Sequence, residues 1–363
     1  MKILVVRFRQ IGDAILSAVI CNTLKKSFPN AQIDYVVYDF VAPLFENHKY
    51  IDNVITLDKE TRDNPFSYFK FAWNITREKY DVVIDIMSTP KSEIFTLLSG
   101  AKFKIGRAKK WRGYTYTHKI AEPKNAKNKC HKFLKMLKPL EDAGYKINYS
   151  ADYSLFITDE EKIMLRDRME ECGIDFSKKV VAFATTSRRT GKIYNREYMK
   201  QLIRMILEKY PDFQLIFFYS PDEKENAINL HKELKEIDKT GFSKRIFTNV
   251  VTKSIRELGM LLKNCDLFMG NEGGPRHLAH SLGVSTFSIF KPGSKVQEWL
   301  SENEGALETF HIAVVPMDYV EEGIITKEYY DSLTQDEKYL LMTPERLMKR
   351  VDEFIERATE KRV

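Results

Sequence analysis

The pattern that most constrains this chain is an alternation, met twice, of short apolar β-type runs and helix-type segments. In the first half "KILVVRF" leads into "DAILSAVICNTLKKSF", where Ile15, Leu16, Val19, Ile20 and Leu24 recur at helical spacing before Pro29. The apolar runs "IDYVVY", "VAPLF" and "NVITL" follow, then the helical "FSYFKFAWNITREKY", then "DVVIDI" and "KFKIGRA". After the charged helix "TDEEKIMLRDRMEECGI" the rhythm restarts with "KVVAFATT" and runs through "FQLIFFYS", "RIFTNVV" and "DLFMG" to "STFSIF", with helical segments between. Near-continuous apolar strands separated by helices imply parallel sheets covered on both faces. The expected fold is α/β, with two doubly wound domains facing a central cleft: residues 1–150, residues 151–342, and a last helix over 343–363. That helix, "TPERLMKRVDEFIERATEK", has Thr343 as N-cap and Pro344 at its first position. It is expected to pack back toward the N-terminal domain.

At 363 residues, 43% hydrophobic and 30% charged, the chain has the balance of a soluble protein with a sizeable core. Cys21, Cys130, Cys172 and Cys265 are widely separated, which argues against a zinc site or a disulfide framework and fits a reducing cytoplasm. The N-terminus enters a strand without a signal peptide, and no apolar stretch approaches the ~20 residues that span a bilayer. A cytoplasmic protein that touches a membrane only at its surface is expected. The net charge of +7 is unevenly spread: from Lys102 to Lys138 there are thirteen Lys or Arg and one acid, Glu122. Such a run is either a solvated face or a landing site for phosphate, nucleic acid or acidic lipid. Trp111, Tyr114 and Tyr116 within it suit a sugar or a base equally well.

No G-x-G-x-x-G follows the first strand and no G-x-x-x-x-G-K-[ST] is present, which speaks against a dinucleotide oxidoreductase and a P-loop NTPase. His277 and His280 lie three apart with no third ligand in view, so they read as one core-facing and one surface histidine. In "GNEGGPRHLAHSLG", Asn271, Glu272, Gly273 and Gly274 lie between a strand and a helix beginning near Pro275. Backbone N–H groups and the helix N-terminus there form an anion site suited to a diphosphate, to which Arg276 and His277 add donors; the alternative is a plain tight turn. In "ATTSRRTGK", Thr185, Thr186 and Ser187 end a strand, and Arg188, Arg189 and Lys192 crowd one loop, as a basic wall to that site or as solvated surface. In "FRQIGD", Gly12 permits close approach of the backbone, and Asp13 is either a helix N-terminal acid or a group that moves protons.

Taken together, "VRFRQIGDAILS", the "ATT" strand end with Lys192, "GNEGGPRHLAHSLGV" and "TPERLMKRV" resemble glycosyltransferase family 9, the lipopolysaccharide heptosyltransferases, in order and spacing over essentially the whole chain. The resemblance implies the GT-B fold and a metal-independent, inverting transfer of heptose from ADP-heptose to the lipopolysaccharide inner core, a Kdo/heptose acceptor on lipid A. It makes Asp13 the general base beside Gly12, and Lys192 a contact of the donor phosphates. Glu272 would hold sugar hydroxyls. Gly273, Gly274, Pro275 and His277 would line the diphosphate, with Thr186, Ser187 and Arg188 nearby. Gly12, Lys109, Lys110 and Arg112 would meet an anionic, lipid-linked acceptor at the inner-leaflet surface. No cofactor, metal or nucleic-acid partner is expected. The chain departs from the family pattern at Arg9 and Gln10, at Tyr194 and Asn195 in place of Trp-Pro, and at Glu272 and Gly273 in place of an Asp and a hydroxyl residue. Alternatives are a transferase of the same fold with another donor or a capsule or glycoprotein acceptor, and a non-catalytic nucleic-acid-binding protein using the 102–138 segment. The last leaves Asp13 and the Glu272–Gly274 turn without a use.

Overall fold

The computed structural model describes residues 1–107, 113–122, 126–306 and 308–360. Among them, strands β1 (Lys2–Val6), β2 (Gln32–Tyr38), β3 (Asn53–Leu57), β4 (Val82–Asp85), β5 (Phe103–Arg107) and β6 (His118–Ile120) form one sheet. Strands β7 (Lys179–Ala184), β8 (Phe213–Phe217), β9 (Ile246–Phe247), β10 (Leu267–Asn271), β11 (Ser285–Ile289) and β12 (His311–Val314) form another. The first has order β3-β2-β1-β4-β5-β6 and the second β12-β11-β10-β7-β8-β9, so both wind the same way. Every strand pair is parallel, as runs such as "KILVV", buried from its second residue onward, require. The order in which successive strands are added reverses between β1 and β4 in one sheet and between β7 and β10 in the other. In open α/β sheets ligands bind at such points, outside the carboxyl ends of the strands.

The chain divides into two compact units, Met1–Phe156 with Gln297–Leu307, and Ile157–Val296 with Glu308–Val363. The break thus falls a few residues beyond the expected 150, and an eleven-residue segment returns late to the first unit. That return is held by Asn303, whose Oδ1 accepts from the Tyr153 N–H at 3.1 Å, and by the Ser301 carbonyl, which accepts from the Tyr153 hydroxyl at 2.7 Å. The expected packing of the last helix is corrected as well. Over Pro344–Glu360 it buries Leu347, Val351, Phe354 and Ala358 in the core of the second unit. The rings of Phe354 and Phe287 lie 5.9 Å apart, because the helix's apolar stripe completes the cover over β11 and β12. "VAPLF" is a turn of 3-10 helix, Ala42–Phe45, rather than an extended run, since Pro43 presets a helical φ and removes a ladder donor.

Gly270 has φ +115°, and a Cβ there would lie 2.4 Å from the Ala184 carbonyl oxygen. Only glycine lets β10 approach the end of β7 this closely, at the point where the second sheet reverses. No helix among the described residues is long and apolar enough to cross a membrane.

Candidate functional site

Each unit presents charged groups at its own reversal point. In the first, Val6 and Asp85 pair as the last residues of β1 and β4. Beyond Val6, Phe8 is buried, its ring 6.3 Å from that of Phe95 and 6.4 Å from that of Tyr68. This plug fixes the turn that delivers Gly12, buried, and Asp13 to the first turn of the helix Ile11–Ser27. Asp13 therefore is a helix N-terminal acid, but it does more than meet the helix dipole. Arg7 Nη2 lies 3.0 Å from its Oδ1, and Lys129 Nζ lies 3.4 Å from the same oxygen. Lys129 sits 3.0 Å from the ring centroid of Trp299, and the Arg7 guanidinium 5.1 Å from that of Phe133. Burial pushes the pKa of both cations down, opposed by the Asp13 charge.

Beside this cluster Asp85 is fully buried. Its Oδ1 accepts from the Met87 and Ser88 N–H groups at 3.0 and 2.9 Å, and its Oδ2 from the Tyr116 hydroxyl at 2.7 Å. Burial raises this carboxyl to about 6 in spite of those bonds. The Tyr116 ring lies against Gly106, where a Cβ would come within 2.3 Å of it. Tyr116 is thus a core residue rather than a sugar or base platform, while Tyr114 is 81% exposed. The basic run is not uniform either: Arg107 and Lys132 both pair with Glu122, at 3.4 and 3.5 Å, and Lys129 turns to Asp13. Lys109, Lys110 and Arg112 lie outside the described residues, as does Trp111.

In the second unit β7 leads to Thr185, buried, and to Thr186 and Ser187, half-buried, while Arg188 and Arg189 are exposed. A 3-10 turn over Thr190–Lys192 brings the Lys192 ammonium onto the Glu272 carboxylate, with both side chains largely buried. The neighbouring strand supplies Glu272: Asn271 ends β10, and its Oδ1 accepts from the Tyr194 N–H at 2.9 Å, tying the two loops together. The Glu272 N–H donates to the Ile289 carbonyl at 3.1 Å. Gly273 is extended and the helix Gly274–Ser281 begins directly after it. Pro275 has no N–H, so the first-turn donors are those of the residues around it. Tyr194 and Asn195 have structural roles. The Tyr194 hydroxyl donates to the Met342 carbonyl, and Asn195 caps the helix Arg196–Lys209 by accepting from the Tyr198 N–H at 3.1 Å.

His277 and His280 are both buried, which corrects the expectation of one surface histidine. His277 contacts Arg276, itself 1% exposed, with Nη2 to Nδ1 at 2.9 Å. The His280 ring lies 3.5 Å from that of His311 on β12. Burial, with the Arg276 charge adding to it, pushes His280 far down and His311 to about 3. Among the described residues no group of three or more His, Cys, Asp or Glu is arranged to hold a metal ion.

Arg7, Lys129, Trp299 and Asp85 escape a reading of the sequence. A carboxylate inside the apolar run "DVVIDI" is the one signal that marks Asp85.

Two doubly wound parallel sheets with charged turns at their reversal points are the architecture of the GT-B class. The chain belongs to glycosyltransferase family 9 (heptosyltransferase), whose pattern matches residues 68–303. It is 26% identical over 303 residues to lipopolysaccharide heptosyltransferase 1 of Campylobacter coli, covering 80% of this chain and 84% of that one. Among solved structures it resembles a glycosyltransferase family 9 protein of Veillonella parvula, with TM-score 0.76, 17% identity and 97% and 96% of the two chains covered. It also resembles the ADP-heptose lipopolysaccharide heptosyltransferase II of Escherichia coli, with TM-score 0.72, 15% identity and both chains covered completely.

Proposed function

We propose that this enzyme transfers a heptose from ADP-heptose to the Kdo/heptose inner core of lipopolysaccharide, with inversion and without a metal ion, as a cytoplasmic protein at the inner-membrane surface. The donor named for the Escherichia coli structure and the product named for the Campylobacter coli relative support the choice of sugar and acceptor. The observation that carries the reaction type is the Asp13 carboxylate. Among the described residues Arg7 and Lys129 both meet its Oδ1, which fixes the rotation of the carboxylate, and in this reading Oδ2 faces the substrate hydroxyl.

In this reading an acceptor hydroxyl attacks the anomeric carbon while Asp13 takes its proton. The bond from that carbon to the diphosphate oxygen breaks, its electron pair leaves with ADP, and the anomeric centre inverts in one displacement. General-base assistance of this kind contributes about 10²–10⁴ in rate. Lys192 and the N–H groups at the start of the helix Gly274–Ser281 offset the charge growing on the diphosphate, with Thr186, Ser187 and Arg188 beside them. Glu272 holds donor hydroxyls, and until the donor arrives its pairing with Lys192 keeps both charges satisfied.

Thermal unfolding with ADP, UDP, GDP or CMP, with and without EDTA, tests the donor. ADP at about 100 times its dissociation constant should add roughly 2.7 kcal/mol and raise Tm by about 5–10 °C, unchanged by EDTA. A rise with UDP or GDP alone would leave the fold and chemistry but replace the sugar nucleotide. An EDTA-sensitive rise would overturn the metal-free mechanism.

A further inference from the structure

The helix Pro65–Thr76 turns the wrong residues outward for a protein surrounded only by water. Its inner face buries Tyr68, Ala72 and Ile75, yet Phe66, Phe69 and Trp73 are 79, 48 and 45% exposed. At 100° per residue these three fall in one narrow sector, bordered by the exposed cations Lys70 and Arg77. The helix carries no acidic residue. The nearest acid on each side of it in sequence is paired, Asp63 with Arg62 at 2.8 Å and Glu78 with Lys2 at 2.8 Å. On the adjoining helix, Pro90–Leu98, Leu97 is 57% exposed.

We infer that this face docks on an anionic lipid bilayer. Aromatic rings favour the headgroup zone, where an amphipathic body with a basic margin meets acyl chains and phosphate together. Lys70 and Arg77, with no exposed acid on the same helix, supply the matching charge for an anionic surface. The inference rests on the lipid-linked acceptor of the proposed function and deepens it. Phe8, which anchors the turn bearing Asp13, packs on Tyr68 and Phe95, the inner faces of these same two helices. A bilayer held on their outer face keeps a lipid-borne acceptor close to the carboxyl end of β1, beyond which the base lies.

The test is co-sedimentation of the full chain with phosphatidylglycerol vesicles and with phosphatidylcholine vesicles. The comparison is a Phe66→Ser/Phe69→Ser/Trp73→Ser variant whose circular dichroism and melting match the wild type. Wild type should sediment with the anionic vesicles only, and the variant should lose at least about tenfold in partitioning. Anionic vesicles should shift tryptophan emission to the blue, and Trp73→Ser alone should abolish that shift. The inference is overturned if wild type does not bind, if the triple variant binds equally well, or if light scattering shows this face joining two copies of the chain. Turnover on a soluble, deacylated acceptor without vesicles should be equal in wild type and variant. Failure of wild type in that assay counts against the proposed function and not against the docking face.

Discussion

Lys129 and Asp13 lie 116 residues apart in the chain, and their charges meet with Nζ 3.4 Å from Oδ1. Arg7 approaches the same oxygen from the strand side at 3.0 Å, and Trp299 covers the ammonium. One carboxylate oxygen is therefore committed to protein cations, which makes the orientation of the other a property of the fold.

Replacing Asp13 with Asn keeps the shape of the turn and removes the proton acceptor. Turnover should fall by about 10²–10⁴ while nucleotide-induced stabilisation stays at the wild-type level. Steady-state kinetics and a melting curve with ADP check both halves, and wild-type turnover would return Asp13 to the status of a helix-terminal acid.

Lys129 should act through Asp13. Lys129→Met should lower kcat about tenfold with little change in donor KM, since a lost positioning contact is felt mainly in the transition state. Burial holds this ammonium below the ordinary lysine range. As pH rises it therefore loses its charge earlier than a surface lysine, and kcat should decline on a basic limb. Lys129→Arg, which stays protonated, should keep activity and remove that limb. A pH–rate profile of the three proteins distinguishes this role from simple packing.

Lys192 and Glu272 should separate under mutation. Lys192→Ala leaves an uncompensated carboxylate beside the diphosphate site, and ADP affinity should drop about 10–100-fold while adenosine binding is unaffected. Glu272→Gln should bind ADP at least as tightly, because Lys192 is released, yet lose transfer. Calorimetric titration with ADP and adenosine reads both outcomes.

Asp85 makes a stability prediction with a definite sign. Its folded pKa of about 6 lies above the usual carboxylate value. Below about pH 4 the group is protonated in folded and unfolded chain alike and carries no penalty. Between about pH 4 and 6 the folded chain retains a proton that the unfolded chain releases, so stability declines as pH rises, and above that the penalty is constant. Asp85→Asn should remove this slope, so the unfolding free energy of wild type relative to the variant should fall by at most about 3 kcal/mol from pH 4 to 7. Urea titrations at several pH values measure it.

Much of the fold is legible in the residue pattern because fully buried parallel strands must be almost wholly apolar and cannot be written otherwise. Both six-stranded sheets follow from runs such as "KILVV" and "DLFMG". Asp13, Lys192 and Glu272 could be singled out because the turns that hold them follow directly from strands. Lys129 could not: it is one of thirteen similar cations, and only the placement of the helix Lys129–Leu134 against the first helix selects it. The destination of the last helix is hidden for a related reason. Its apolar stripe announces that it packs, but the partner is chosen by which faces of β11 and β12 remain bare. Tyr116 has the chemistry of a platform for a ring, but burial against Gly106 with a bond to Asp85 makes it an internal strut.

The late return of Gln297–Leu307 bears on how the protein comes into being. A ribosome releasing the chain from its N-terminus presents β1 to β6 long before Trp299, Ser301 and Asn303 exist. Until then the Tyr153 N–H and hydroxyl lack Asn303 and Ser301, and Lys129 lacks the ring of Trp299. The first unit is therefore finished only after most of the second has been synthesised. A gene cut at Phe156 yields a fragment missing part of its own packing, and exchanging the N-terminal unit between relatives requires two grafts rather than one.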